Sequence, residues 1–133
     1  MTKQVAVVLA GCGVFDGSEI YETTLTLLRL DQLGIGYRCF APDVAQHHVI
    51  NHLDQSPVEG ETRNVLQESA RLARGDISPI TELEADDFDA VIVPGGFGVA
   101  KNLSDFAMQS DSMQVLESVK EALAGFKEDA KPI

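Results

Sequence analysis

Val5-Ala6-Val7-Val8-Leu9-Ala10 is an unbroken β-branched and aliphatic run that Gly11-Cys12-Gly13 interrupts. A strand buried on both faces reads this way, and such strands belong to parallel sheets. From Ser18 to Leu33 the apolar spacing turns helical. Ile20, Thr24, Leu27 and Leu28 are predicted to share the inward face, and Gly34 sits where a C-terminal cap is expected. Gly36 to Ala41 predicts a second strand, so residues 4–41 form one β-α-β unit with parallel pairing and a right-handed crossover.

The polar stretch Pro42 to Gly60 is long for a connection, which marks either a functional loop or a small hairpin. Glu61 to Arg74 returns to helical spacing through Val65, Leu66, Ser69, Leu72 and Ala73, ending at Gly75. A short strand is expected over Ile77–Ile80 and an acidic helical turn over Glu82–Asp87. Ala90-Val91-Ile92-Val93 is the second clear strand, and Pro94-Gly95-Gly96-Phe97-Gly98 follows at once. A short helix over Val99–Phe106 and an amphipathic one through Met113, Leu116, Val119, Leu123 and Phe126 complete the pattern. Alternating strands and helices indicate an α/β fold whose mostly parallel sheet is covered on both faces.

Composition narrows this little further. At 133 residues the chain fits one domain with a core large enough to need no disulfide or metal. Its 44% hydrophobic and 23% charged content excludes disorder, collagen-like repeats and a transmembrane protein. Ten Lys and Arg against 21 Asp and Glu give a formal charge of −11. That balance argues against nucleic acid or an anionic membrane as partner. Cys12 and Cys39 lack the paired spacing of a zinc site, and Val5–Ala10 is too short for a signal core or a span. A reducing, cytoplasmic setting is therefore expected.

Both glycine-rich segments fall at the carboxyl ends of strands, where open parallel sheets bind ligands. Glycines there let backbone N–H groups approach a ligand, or they merely form strand-to-helix turns; both readings stand. Gly11 to Gly17 spells GxGxxxG, one residue longer than the dinucleotide fingerprint, although Asp43 lies near where a ribose-binding carboxylate would be. Nucleotide binding is thus a minor alternative. Glu19 and Glu22 are the carboxylates nearest the first strand end. They either complement the helix dipole or serve as a proton carrier in a strand-end cleft. His47, His48 and His52 read better as exposed loop histidines than as metal ligands. Cys12 is a candidate accessible thiol.

The segments Gly11-Cys12-Gly13-Val14-Phe15-Asp16-Gly17-Ser18-Glu19-Ile20, Phe40-Ala41-Pro42-Asp43, Val49-Ile50-Asn51-His52-Leu53, Glu61-Thr62-Arg63-Asn64-Val65-Leu66 and Val93-Pro94-Gly95-Gly96-Phe97-Gly98 with Ala100-Lys101-Asn102-Leu103 resemble ElbB-type proteins. These are also called sigma cross-reacting or isoprenoid-biosynthesis-associated proteins. The resemblance covers essentially the whole chain. It implies the class I glutamine amidotransferase-like superfamily of PfpI and the parkinsonism-associated deglycase, with a flavodoxin-like three-layer sandwich. It further implies a cofactor-independent, metal-free glyoxalase that converts glyoxal and related 2-oxoaldehydes to the hydroxy acid, acting as a homodimer.

In the site that the resemblance implies, Glu19 is the acid/base, with Glu22 the less favoured match. Gly95 and Gly96 supply the oxyanion hole, and Cys12, Gly13, Glu22, Phe97 and Asn102 line the binding pocket. The nucleophilic cysteine follows the strand that begins at Lys131-Pro132-Ile133, so it is not in this chain. The 133 residues are accordingly expected to be one domain truncated at the C-terminal side, roughly the first 60% of the family length, and inactive alone. A non-catalytic binding or regulatory module and an amidase-type hydrolase are the alternatives.

Overall fold

The structure is a computed structural model in which residues 2–109 and 111–133 are described. Its main sheet has four parallel strands in the order β5-β2-β1-β6: β1 (Gln4–Val8), β2 (Gly36–Ala41), β5 (Ile77–Pro79) and β6 (Ala90–Ile92). Helices α1 (Ile20–Gln32) and α2 (Val65–Ala73) cover one face, and α4 (Glu117–Glu128) covers the other. A five-residue helix, α3 (Phe97–Lys101), follows the turn after β6.

The period of two along the first strand builds both layers. Val5, Val7 and Leu9 pack with Leu27 and Leu30 of α1 and Val65, Leu66 and Leu72 of α2. Ala6, Val8 and Ala10 face the opposite way, against Val119, Ala122 and Phe126 of α4 together with Phe40, Phe88 and Val91. This is the three-layer α/β sandwich that the pattern predicts, with every inward position of β1 apolar. Pro79 stands in the edge strand β5, where its missing N–H breaks no ladder.

Local details depart from the pattern. The inward face of α1 is carried by Thr23, Leu27 and Leu30, whereas Ile20, Thr24 and Leu28 are exposed. Leucines surround this helix, so periodicity alone misplaced the face. Thr23 is tolerated inside because its hydroxyl donates to the Glu19 carbonyl at 2.8 Å. The helix expected over 99–106 is displaced to α3, and the last helix begins at Glu117, which leaves Met113 exposed. The 42–60 stretch contains a small hairpin, β3 (Ile50–Asn51) and β4 (Ser56–Pro57). The acidic stretch forms 3-10 turns at Ile80–Glu82 and Ala85–Asp87. Beyond α4, the Val91 N–H donates to the Pro132 carbonyl at 3.0 Å, which lays that residue beside β6.

Candidate active site

The carboxyl ends of the neighbouring strands β1 and β6 open into the two glycine turns. After β1 the chain folds back on itself. Ala10 N–H donates to Ser18 Oγ at 2.8 Å, Gly11 N–H to Ser69 Oγ at 2.8 Å, and Gly13 N–H to the Ser18 carbonyl at 3.1 Å. Ser18 and Ser69 are fully buried. Three amides at the start of this loop are thus already held by protein. Asp43, the nominal ribose partner, accepts from Asn64 Nδ2 at 2.8 Å. The glycines serve close packing: a Cβ on Gly17 would overlap the Cys12 backbone.

Asp16 and Asn102 tie neighbouring segments to this loop. Asp16 is buried, and its carboxylate accepts from Ile50 N–H at 2.8 Å and faces His52 Nε2 at 3.8 Å. The His52 ring stacks on Phe15 with centroids 5.0 Å apart, lies over Gly13, and makes a 3.0 Å hydrogen bond to the Ile50 carbonyl. Asn102 Nδ2 donates to the carbonyls of Ala10 (2.9 Å) and Asp16 (3.1 Å), while its Oδ1 accepts from His47 N–H at 2.9 Å. Every polar atom of the Asn102 side chain is therefore engaged in joining the β1 loop, the 42–49 segment and the end of α3.

The turn after β6 leans against the start of α1. Glu19 N–H donates to the Gly95 carbonyl at 2.7 Å, Phe97 N–H to the Val14 carbonyl at 2.8 Å, and Gly98 N–H to the Gly17 carbonyl at 3.0 Å. Gly96 has φ +117°, and a Cβ there would stand 2.6 Å from Glu19 N, so the approach requires glycine. The two glutamates now separate. Glu19 is the N-cap of α1, its Oε2 accepting from Glu22 N–H at 2.6 Å. Glu22 Oε1 instead accepts from Gly95 N–H at 3.2 Å. Among the described residues, Gly96 N–H donates to no protein acceptor.

Val14, Glu19, Glu22, Gly96, Phe97, Val99 and Ala100 line a cleft of about 320 Å³ at this junction. It brings together Glu19, Glu22, Gly96 and Phe97, with Gly95 attached through Glu22. Gly13 lies beneath His52, Asn102 is buried as a tie, and neither is among the cleft's lining residues. Cys12 is half-buried on another side of the loop. Burial pushes its thiol up, Arg71 and Arg63 pull it down, and Glu68 and Asp16 add to the rise. Cys39 is buried in the core. Asp16, Ser18 and Ser69 were not singled out from sequence. The one available signal was Ser69, a hydroxyl on the apolar stripe of α2. Among the described residues no group of three His, Cys, Asp or Glu side chains is placed to hold a metal, and no helix is long and apolar enough to cross a membrane.

No family model matches the chain. It is 51% identical over 130 residues to the human glutamine amidotransferase-like class 1 domain-containing protein 3, mitochondrial, covering 98% of this chain and 48% of that protein. It is 50% identical over 130 residues to the rat ES1 protein homolog, mitochondrial, with 98% and 49% coverage. The chain thus spans about half the length of the curated relatives it matches. Its fold superposes with a TM-score of 0.92 and 44% identity on the crystal structure of an isoprenoid biosynthesis protein with amidotransferase-like domain from Ehrlichia chaffeensis, covering 98% of this chain and 61% of that one. The sheet order and the two glycine turns agree with these likenesses, and the chain is similar over nearly its whole length to part of the ElbB/ES1-like class I glutamine amidotransferase-like proteins.

Proposed function

We propose that this chain supplies the carboxylate and amide half of a cysteine-dependent glyoxalase site, with Glu22 rather than Glu19 as the proton carrier. The supporting observation is the 3.2 Å hydrogen bond from Gly95 N–H to Glu22 Oε1, which holds that carboxylate at the cleft beside Gly96. Glu19 also lines the cleft, but one of its oxygens is engaged by the helix end. In this reading Gly95 N–H orients the carboxylate, and Gly96 N–H faces the developing oxyanion.

The nucleophile is assigned to a cysteine that follows Ile133 in proteins of the family's length. The contact of Pro132 with Val91 supports this, since a strand continuing beside β6 leads toward the same sheet end as Gly95. The thiolate adds to the aldehyde carbon, forming a C–S bond and an alkoxide that takes up a proton. Glu22 then moves a proton from that carbon to the neighbouring one, which converts the hemithioacetal to the thioester of the hydroxy acid. Water cleaves the C–S bond, releasing the acid and regenerating the thiol. Glyoxal plus water gives glycolic acid, with no external oxidant or reductant.

The test is product formation from glyoxal without glutathione, followed by NMR. A protein carrying this segment at its relatives' length is expected to form glycolate and to stop after thiol alkylation, while the 133-residue chain forms none. Glycolate formation that survives alkylation, or that the short chain achieves unaided, would exclude the reading.

A further inference from the structure

The charges that line the cleft are one-sided. Val14, Phe97, Val99 and Ala100 form its apolar walls, and among the described residues the charged side chains lining it are those of Glu19 and Glu22. Lys101 is the nearby cation: its Nζ donates to the Phe15 carbonyl at 2.6 Å and lies 5.7 Å from the ring centroid of the wall residue Phe97, so it keeps its charge beside the cleft without lining it. The long-range field has the same sign, with a formal charge of −11. A small anion entering the cleft would meet two carboxylates. A neutral molecule of the same shape would meet only the walls and the Gly96 amide.

We propose that the cleft is a charge filter that admits small neutral carbonyl compounds and turns away carboxylates of the same shape. One consequence rests on the functional reading above. A neutral aldehyde would enter and a hydroxy-acid anion would form, so the repulsion that excludes anions also opposes rebinding of product. Product inhibition is then weak. The filter itself depends only on the lining of the cleft.

Glycolamide and glycolate have nearly the same shape and differ by one charge. Each is titrated into this chain while the amide resonances of Gly95, Gly96 and Phe97 are followed. Glycolamide is expected to shift them saturably, and glycolate to bind at least about tenfold more weakly. That gap should shrink severalfold in Glu19→Gln, whose side-chain oxygen still serves as the helix cap. It should shrink likewise at high salt in the unmodified chain, where only screening has changed. Equal binding of the two probes, a gap indifferent to both salt and Glu19→Gln, or no saturable shift with either probe overturns the proposal. No turnover is read here. A filter seen in this chain, together with no glyoxal conversion by a protein carrying this segment at its relatives' length, would refute the functional reading and leave this one standing.

Discussion

Glu19 and Glu22 stand three positions apart at the start of one helix, and the turn after β6 separates their roles. One caps the helix; the other meets the Gly95 amide. The neighbouring glycines differ just as sharply. A Cβ on Gly95 would meet the end of the Glu22 side chain, 2.5 Å from Oε1, which is free to swing aside. At Gly96 it would meet fixed backbone with φ at +117°. Gly95→Ala is therefore expected to stay folded, within about 1 kcal/mol, while displacing the carboxylate. Gly96→Ala should cost about 2–4 kcal/mol in chemical denaturation. Equal losses would contradict the geometry.

Cys39 gives a pH prediction at the same scale. Burial pushes its thiol from 9.0 up to about 11, with Asp76 adding to the rise. Between those values the unfolded chain has released the proton that the folded chain retains, so stability falls as pH rises through the window. The loss is roughly 2–3 kcal/mol by pH 11. Denaturation midpoints measured from pH 8 to 11 should show this fall, and Cys39→Ala should flatten it.

Among the elements, the strands were the most legible and the helix faces the least. Val5–Ala10 reads as a doubly buried strand, because six consecutive apolar residues, three of them β-branched, leave no solvent face. Helix α1 was ambiguous because Leu25, Leu27, Leu28, Leu30 and Leu33 cover several faces, and Thr23 is buried through a hydrogen bond that periodicity does not register. The glycine turns could be placed at strand ends from sequence. Which glutamate reached the second turn could not, because that depends on the approach of Gly95 to α1, a contact across 73 positions. The expectation for Asn102 was a pocket-lining residue, whereas the structure buries it as a tie between segments. Replacing it by Leu removes three hydrogen bonds and leaves the Ala10 and Asp16 carbonyls and the His47 N–H without it. A loss of about 2–4 kcal/mol is expected, together with faster amide exchange in the 47–52 segment. A loss below about 0.5 kcal/mol would remove Asn102 from this role.

For the whole molecule, the parallel order β5-β2-β1-β6 places β1 and β6 side by side and brings both glycine turns to one sheet end. Neither turn makes the cleft alone. The β1 turn supplies Val14 and leads into the glutamates, and the β6 turn supplies Gly96 and the apolar wall of α3. The sequence patterns carry the layers and the pairing of the turns, since both follow from the order of strands and helices. The central claim is that Glu22, held by Gly95, moves the proton. Steady-state glyoxal turnover, measured for Glu22→Gln and Glu19→Gln in a protein carrying this segment at its relatives' length, tests it most directly. The account predicts a fall in kcat of about a hundredfold or more for Glu22→Gln and less than about tenfold for Glu19→Gln; the reverse order, or unchanged kcat in Glu22→Gln, would contradict it.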